Sequence, residues 1–129
     1  MRTHRHILIV DDDRDLRESL RELLEDHGHL AVDVEDGAQA LAFLRRHGAC
    51  LVLLDWHLAP MSAPELKAVI DDDPALRAIP VVIVSADVRL DPAALSAYAG
   101  HLVKPIDLVA LFDVIDCHCD GSADGAGEA

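Results

Sequence analysis

The stretch Ile7-Leu-Ile-Val-Asp-Asp-Asp13 joins four apolar residues directly to three consecutive acids. A short apolar run of this kind is typical of a buried strand, and we predict the first strand at His6–Val10. Leucines at helical spacing follow, which predicts an amphipathic helix at Arg14–His27. The three acids therefore stand at the carboxyl end of a strand, where the chain turns into a helix.

This unit of a strand followed by a helix occurs five times along the chain. Such alternation predicts an α/β fold with a parallel sheet, right-handed crossovers and helices on both faces. We expect a single domain at residues 1–119, and a small, polar tail or the start of a linker at 120–129. The further strands are predicted at Leu30–Val34, Leu51–Leu54, Val81–Val84 and His101–Lys104, and the further helices at Gly37–His47, Pro64–Asp72, Pro92–Ala99 and Ile106–Cys117.

Length and charge exclude several classes of function. The chain has 129 residues and a net charge of −13. This length suits one compact domain, and the negative charge repels phosphate backbones, which argues against direct nucleic-acid binding. No apolar run is long enough to span a bilayer, and the first one is too short for a signal sequence. We therefore expect a cytoplasmic protein without membrane contact.

The three cysteines are not expected to form a disulfide framework. Cys50 opens an apolar run and is predicted to be a buried thiol. Cys117 and Cys119 lie too close together in sequence for an ordinary structural bridge. A metal site that combines these two with His4 and His6 is disfavoured, because the spacing typical of zinc ligands is missing.

Chemically active side chains stand at four of the five predicted strand ends. The acids at 11–13, Asp55, Ser85 and Lys104 each follow a strand, and the carboxyl ends of parallel strands meet at one edge of the sheet. Adjacent carboxylates repel one another unless a cation lies between them, and Mg²⁺ prefers such oxygen ligands. A carboxylate held beside Mg²⁺ and an ammonium group can attack a phosphoryl group. The acids at 11–13 could instead cap the first helix.

Four motifs together resemble the response-regulator receiver domains of two-component signalling. They are Ile7-Leu-Ile-Val-Asp-Asp-Asp13, Leu53-Leu-Asp-Trp-His-Leu58, Val84-Ser-Ala86 and Val103-Lys-Pro105, in the family's order, within a resemblance that covers about residues 5–118. The resemblance implies a flavodoxin-like, doubly wound (βα)5 sheet with strand order 2-1-3-4-5. It also implies Mg²⁺ or Mn²⁺ as cofactor, and a sensor histidine kinase or phosphotransfer protein as phosphodonor.

The same resemblance implies roles for individual residues. Asp55 would accept the phosphoryl group. Asp12, Asp55 and the backbone carbonyl of His57 would bind the metal directly, and Asp11 mainly through water. Ser85 and Lys104 would bind the phosphoryl group as switch residues, and the peptide bond between Lys104 and Pro105 would be cis.

Two segments depart from the family pattern. In the loop Ala59–Ala63 the usual proline stands one place later, and the usual Asp-Gly turn is missing. The region 95–101 is shorter than usual, and His101 occupies the position of the family's aromatic switch residue. That histidine could make the coupling to the output surface dependent on pH. His57 and Asp87 are possible modulators of dephosphorylation, or simply exposed loop residues.

Other functions remain as alternatives to a phosphoacceptor that changes its affinity for a downstream protein. The altered segments keep open a pseudo-receiver, a docking module that phosphorylation does not control. An aspartyl-phosphate phosphatase needs a second acid two residues after the nucleophile, where this chain has His57. A flavodoxin-like cofactor carrier needs a glycine-rich loop after the first strand, where this chain has acids. The protein is expected to be a monomer or a phosphorylation-dependent dimer.

Overall fold

Five strands alternate with five helices in the computed structural model, which describes residues 6–87 and 89–119. The predicted tail at 120–129 lies outside the described residues. Each predicted element is present, most of them within two residues of the expected bounds. The strands are β1 His6–Val10, β2 Leu30–Val34, β3 Leu51–Asp55, β4 Val81–Ser85 and β5 Gly100–Val103. The helices are α1 Arg14–Asp26, α2 Gly37–His47, α3 Ala63–Asp72, α4 Pro92–Leu95 and α5 Leu108–His118.

The strands form one parallel sheet in the order β2-β1-β3-β4-β5, which confirms the predicted topology. In this register Val10 lies beside Leu54, and Asp55 lies beside Val84. The residues that follow β1, β3 and β4 therefore meet at the same edge of the sheet. This edge carries the predicted site.

The core lies on both faces of the sheet. Successive side chains of a strand point to opposite faces, so Leu8 and Val10 pack on the side of α2 and α3, whereas Ile7 and Ile9 pack on the side of α1 and α5. All five residues of β3 are buried, as expected for a central parallel strand. Full burial of one such aliphatic side chain contributes about 1.5–3 kcal/mol, so packing on both faces stabilises the sheet that carries this edge. No helix of the described residues is long and apolar enough to cross a membrane.

The fourth helix is shorter than predicted, so the predicted span Pro92–Ala99 is wrong in its second half. The helix ends at Leu95, and the hydroxyl of Ser96 bonds back to the carbonyl of Ala93. The amide of Ala99 already donates to the Val81 carbonyl on β4. The chain has therefore joined the sheet by residue 99, which leaves no length for a further helical turn.

Cys50 and Cys119 form a disulfide, so the prediction of a buried free thiol at Cys50 is wrong. Their Cα atoms lie 5.3 Å apart, within the range that a disulfide requires, although 69 positions separate them in sequence. The bond joins the chain just before β3 to the residue that ends α5. Cys117 is free and exposed. Packing of α5 against the sheet brings the two sulfurs together, and sequence spacing carries no sign of it.

Candidate functional site

Three carboxylates converge at the carboxyl edge of the sheet. One oxygen each of Asp11, Asp12 and Asp55 lies within 4.8 Å of the others. Asp11 and Asp55 are 3% and 5% exposed, whereas Asp12 is exposed. Carboxylate oxygens are the ligands that Mg²⁺ prefers, and a partly exposed cluster leaves room for the waters that this ion keeps. These three residues could hold a metal ion.

The turn between β1 and α1 gives the cluster its shape. Asp13 caps α1 by accepting the amide of Leu16, and its own amide donates to Asp11 Oδ1 at 2.8 Å. The capping alternative is therefore correct for Asp13, while Asp11 and Asp12 belong to the cluster. The three consecutive acids therefore have different roles, because the residue at the N-cap of a helix accepts a bond from an amide of the first turn.

Lys104 supplies positive charge to this cluster. Its Nζ lies 3.3 Å from Asp11 Oδ2 and 3.7 Å from Asp55 Oδ1. The peptide bond from Lys104 to Pro105 is cis, as the family resemblance implied. The backbone amide of Lys104 donates to the Ser85 carbonyl at 2.8 Å, which holds the lysine beside the end of β4.

One ammonium group does not neutralise three carboxylates. The pKa of Asp11 is raised, chiefly because burial disfavours the charged carboxylate. Repulsion from Asp55 also raises the pKa of Asp11, whereas the hydrogen bond from the Asp13 amide and the positive charge of Lys104 lower it. The site thus has an excess of negative charge, which a divalent cation would relieve.

Ser85 lies at the same edge and is fully buried. Its Oγ accepts the backbone amide of Asp87 at 2.9 Å, so the hydroxyl proton is available for another acceptor. Asp87 and His57, the two possible modulators, are both exposed loop residues. The backbone amide of His57 donates to Asp55 Oδ1 at 3.2 Å, which holds the start of the loop that follows Asp55.

His101 lies on β5 beside Ile83 of β4. In the part of the chain that the structure describes, its buried Nε2 has no hydrogen-bond partner. Nearby in sequence, Tyr98 meets Trp56 edge to face, with ring centroids 6.1 Å apart. Nothing in the sequence singles out Tyr98 for this contact, apart from its being the single tyrosine of the chain and its place within the shortened segment. It links that segment to the residue next to Asp55.

The loop before α3 also departs from the usual pattern. The bond from Ala59 to Pro60 is cis, and Ser62 begins α3 with a capping box in which Glu65 takes part. Met61 packs so close to Gly37 that a Cβ built there would lie 2.7 Å from the Met61 sulfur. The loop therefore has a defined structure without the Asp-Gly turn that the family usually shows.

Comparisons with known proteins agree with this geometry. Residues 7–116 match the model of the response regulator receiver domain. The chain is 31% identical over 114 residues to the chemotaxis protein CheY of Pseudomonas aeruginosa, which covers 85% of this chain and 92% of that protein. A response regulator receiver protein from Pseudomonas putida has a similar structure, with a TM-score of 0.81 and 25% identity over 91% of this chain and 99% of that one. A sensor protein from Polaromonas sp. JS666 aligns with a TM-score of 0.82 and 28% identity, over 94% of this chain and 100% of that one. Because the family model spans most of its length, the chain belongs to the response regulator receiver domain family.

Proposed function

We propose that this chain is a phosphoacceptor in two-component signalling, and that Asp55 receives the phosphoryl group. The observation that carries the proposal is the position of the Asp55 carboxylate. It lies in one cluster with two other acids and 3.7 Å from the Lys104 ammonium group. This is the set of groups that an in-line transfer to a carboxylate requires.

The carboxylate cluster fits a hard divalent cation. Asp12, Asp55 and the backbone carbonyl of His57 would hold Mg²⁺ or Mn²⁺ directly, and Asp11 through a water molecule. Bound there, the metal ion supplies positive charge to the oxygens of the transferring phosphoryl group.

The residues of this chain then perform the transfer. An oxygen of Asp55 forms a bond to phosphorus while the bond from phosphorus to the donor atom breaks. Lys104 neutralises charge on the phosphoryl oxygens, and the hydroxyl of Ser85 donates a hydrogen bond to one of them. Water later attacks the phosphorus, the bond from phosphorus to the Asp55 oxygen breaks, and phosphate leaves with the Asp55 carboxylate restored. His57 and Asp87, both exposed, are the candidate modulators of this step.

The signal is a change of affinity for a protein partner. A bond from Ser85 to the phosphoryl group would move the end of β4, and the His101 side chain on the adjacent β5 would follow. We place the receiver at residues 1–119. Its donor is a histidine kinase or phosphotransfer protein that the chain meets in the cytoplasm, and it works as a monomer or as a dimer that phosphorylation promotes.

The other candidate functions have less support. The carboxylate cluster with its lysine favours a phosphoacceptor over a docking module that phosphorylation does not control. The phosphatase alternative is weakened because an exposed histidine occupies the position of its general acid, two residues after Asp55.

Intact-mass spectrometry with acetyl phosphate tests the proposal. We expect one phosphoryl adduct in wild type that requires Mg²⁺, disappears with EDTA and is absent from Asp55→Ala. Asp26→Ala removes an exposed acid at the far end of α1 and is the matched control, which should retain the adduct. An adduct that persists in Asp55→Ala would refute the assignment. A wild-type chain that stays unmodified with both acetyl phosphate and a cognate kinase would favour the docking module.

A further inference from the structure

Arg17 on α1 is a mostly buried cation beneath the acidic turn. Its guanidinium Nε donates to Asp33 Oδ2 on β2 at 2.9 Å, and the two side chains are only 14% and 11% exposed. Burial of a charge is costly unless it is paired, so Asp33 explains how Arg17 can be buried there. It does not explain why a cation lies at this place.

The second bond of Arg17 leads to the proposed metal site. Its Nη1 donates to the backbone carbonyl of Asp11 at 3.2 Å. The amide of Arg17 donates to the Asp13 carbonyl at 3.0 Å. Arg17 is thus bonded to the residues on both sides of Asp12. The Asp11 amide in turn donates to the Val34 carbonyl on β2, so the Asp11 backbone is held from β2 at its amide and from α1 at its carbonyl.

The neighbouring Arg21 shares the ion pair with Asp33 but not the contact with the acidic turn, so the two effects can be tested apart. Arg21 also pairs with Asp33, from Nη1 to Oδ1 at 2.8 Å. Within the described residues, Arg21 has no hydrogen bond to Asp11; its other partner is Glu25, at 4.0 Å. Asp33 therefore binds two guanidinium groups, of which only Arg17 reaches the backbone of the acidic turn.

We propose that Arg17 is a positioning residue for the divalent cation: held by Asp33, it fixes the carbonyl of Asp11 and with it the placement of the Asp11 and Asp12 carboxylates. This inference rests on the metal site of the proposed function. Three carboxylates that repel one another would otherwise spread apart, and a metal site requires its ligands to be preoriented by the groups behind them.

Electrostatics and positioning make opposite predictions. Removal of a nearby positive charge should strengthen binding of a cation, because repulsion between like charges is lost. Loss of the bond to the Asp11 carbonyl should weaken it. A weaker affinity in Arg17→Gln would therefore show that positioning outweighs charge at this residue.

The experiment is a Mg²⁺ titration without phosphodonor, followed by the fluorescence of Trp56, the only tryptophan, and by calorimetry. We expect the Mg²⁺ dissociation constant of Arg17→Gln to rise about tenfold, the scale of losses when the groups that orient metal ligands are removed. Arg21→Gln is the matched control, and its affinity should be unchanged or slightly tighter. Arg17→Lys keeps the charge but not the planar fork that reaches two acceptors, so it should lie between Arg17→Gln and wild type.

The outcomes are distinguishable. An affinity of Arg17→Gln equal to or tighter than that of wild type would overturn the inference and leave Arg17 as a tie between α1 and β2. If Arg17→Gln does not fold, Arg17→Lys decides the matter, and wild-type affinity in that variant would overturn the inference. A wild-type chain that binds no Mg²⁺ would overturn the metal site as well.

Discussion

Reduction of the disulfide between Cys50 and Cys119 should destabilise the protein strongly. The bond closes a loop that spans 69 positions of the chain. The loop-closure relation gives about 3 kcal/mol for a loop of 15 residues and about 4.7 kcal/mol for 100, hence about 4 kcal/mol for this one. The main reason is that the unfolded chain gains freedom when the cross-link is cut. In a reducing cytosol this constraint would be lost, and the chain would be less stable than the oxidised protein.

Denaturant unfolding with and without a phosphine reductant measures this difference. We expect the free energy of unfolding to fall by about 4 kcal/mol on reduction, and the melting temperature by roughly 15 °C. Cys50→Ala should be insensitive to the reductant. Cys117→Ser removes the exposed free thiol and should behave as wild type, including its response to reductant.

Thiol counting provides the independent check. When the oxidised protein is denatured and alkylated, one cysteine should be labelled, and after reduction all three. Three labelled thiols without reductant, or an unfolding free energy that reductant leaves unchanged, would refute the reasoning.

Three further predictions concern single side chains. Burial, and secondarily repulsion from His47, lowers the pKa of His6 from 6.5. The protein should therefore lose stability as pH falls from 6.5 through that lowered pKa, and the His6→Gln variant should lose less stability over the same range. The pKa of Asp11 is raised, so the protein should lose stability as pH rises from 3.8 through that raised pKa. At neutral pH in EDTA, Asp11→Asn should therefore unfold at a higher denaturant concentration than wild type. The same variant should bind Mg²⁺ more weakly. Ser62→Ala removes the hydroxyl that caps α3 and accepts the Glu65 amide, and should lower the free energy of unfolding by about 1 kcal/mol.

Each of these has a result that would contradict it. An unchanged pH slope in His6→Gln would show that another group dominates acid unfolding. A less stable Asp11→Asn chain would mean that the bonds of this carboxylate outweigh its burial and repulsion. Wild-type stability in Ser62→Ala would mean that water replaces the cap without loss.

The sequence by itself determined the fold class, the strand order through the family resemblance, and which carboxylates and which lysine lie together at the edge of the sheet. Apolar periodicity reports on which residues face a core, and five alternating units leave few topologies. Asp11, Asp12, Asp55 and Lys104 could be grouped before any coordinates, because parallel strands end at one edge and each residue directly follows a strand.

Only the tertiary structure decided the contacts between helices and distant strands. The disulfide from Cys50 to Cys119 depends on where the end of α5 packs, and the two bonds of Arg17 depend on how α1 lies across β2 and the turn after β1. The early end of α4 at Leu95 likewise follows from a bond to β4. Local patterns carry no information on these contacts, because a periodic stripe tells which side of an element is buried but not which residue of another element lies against it.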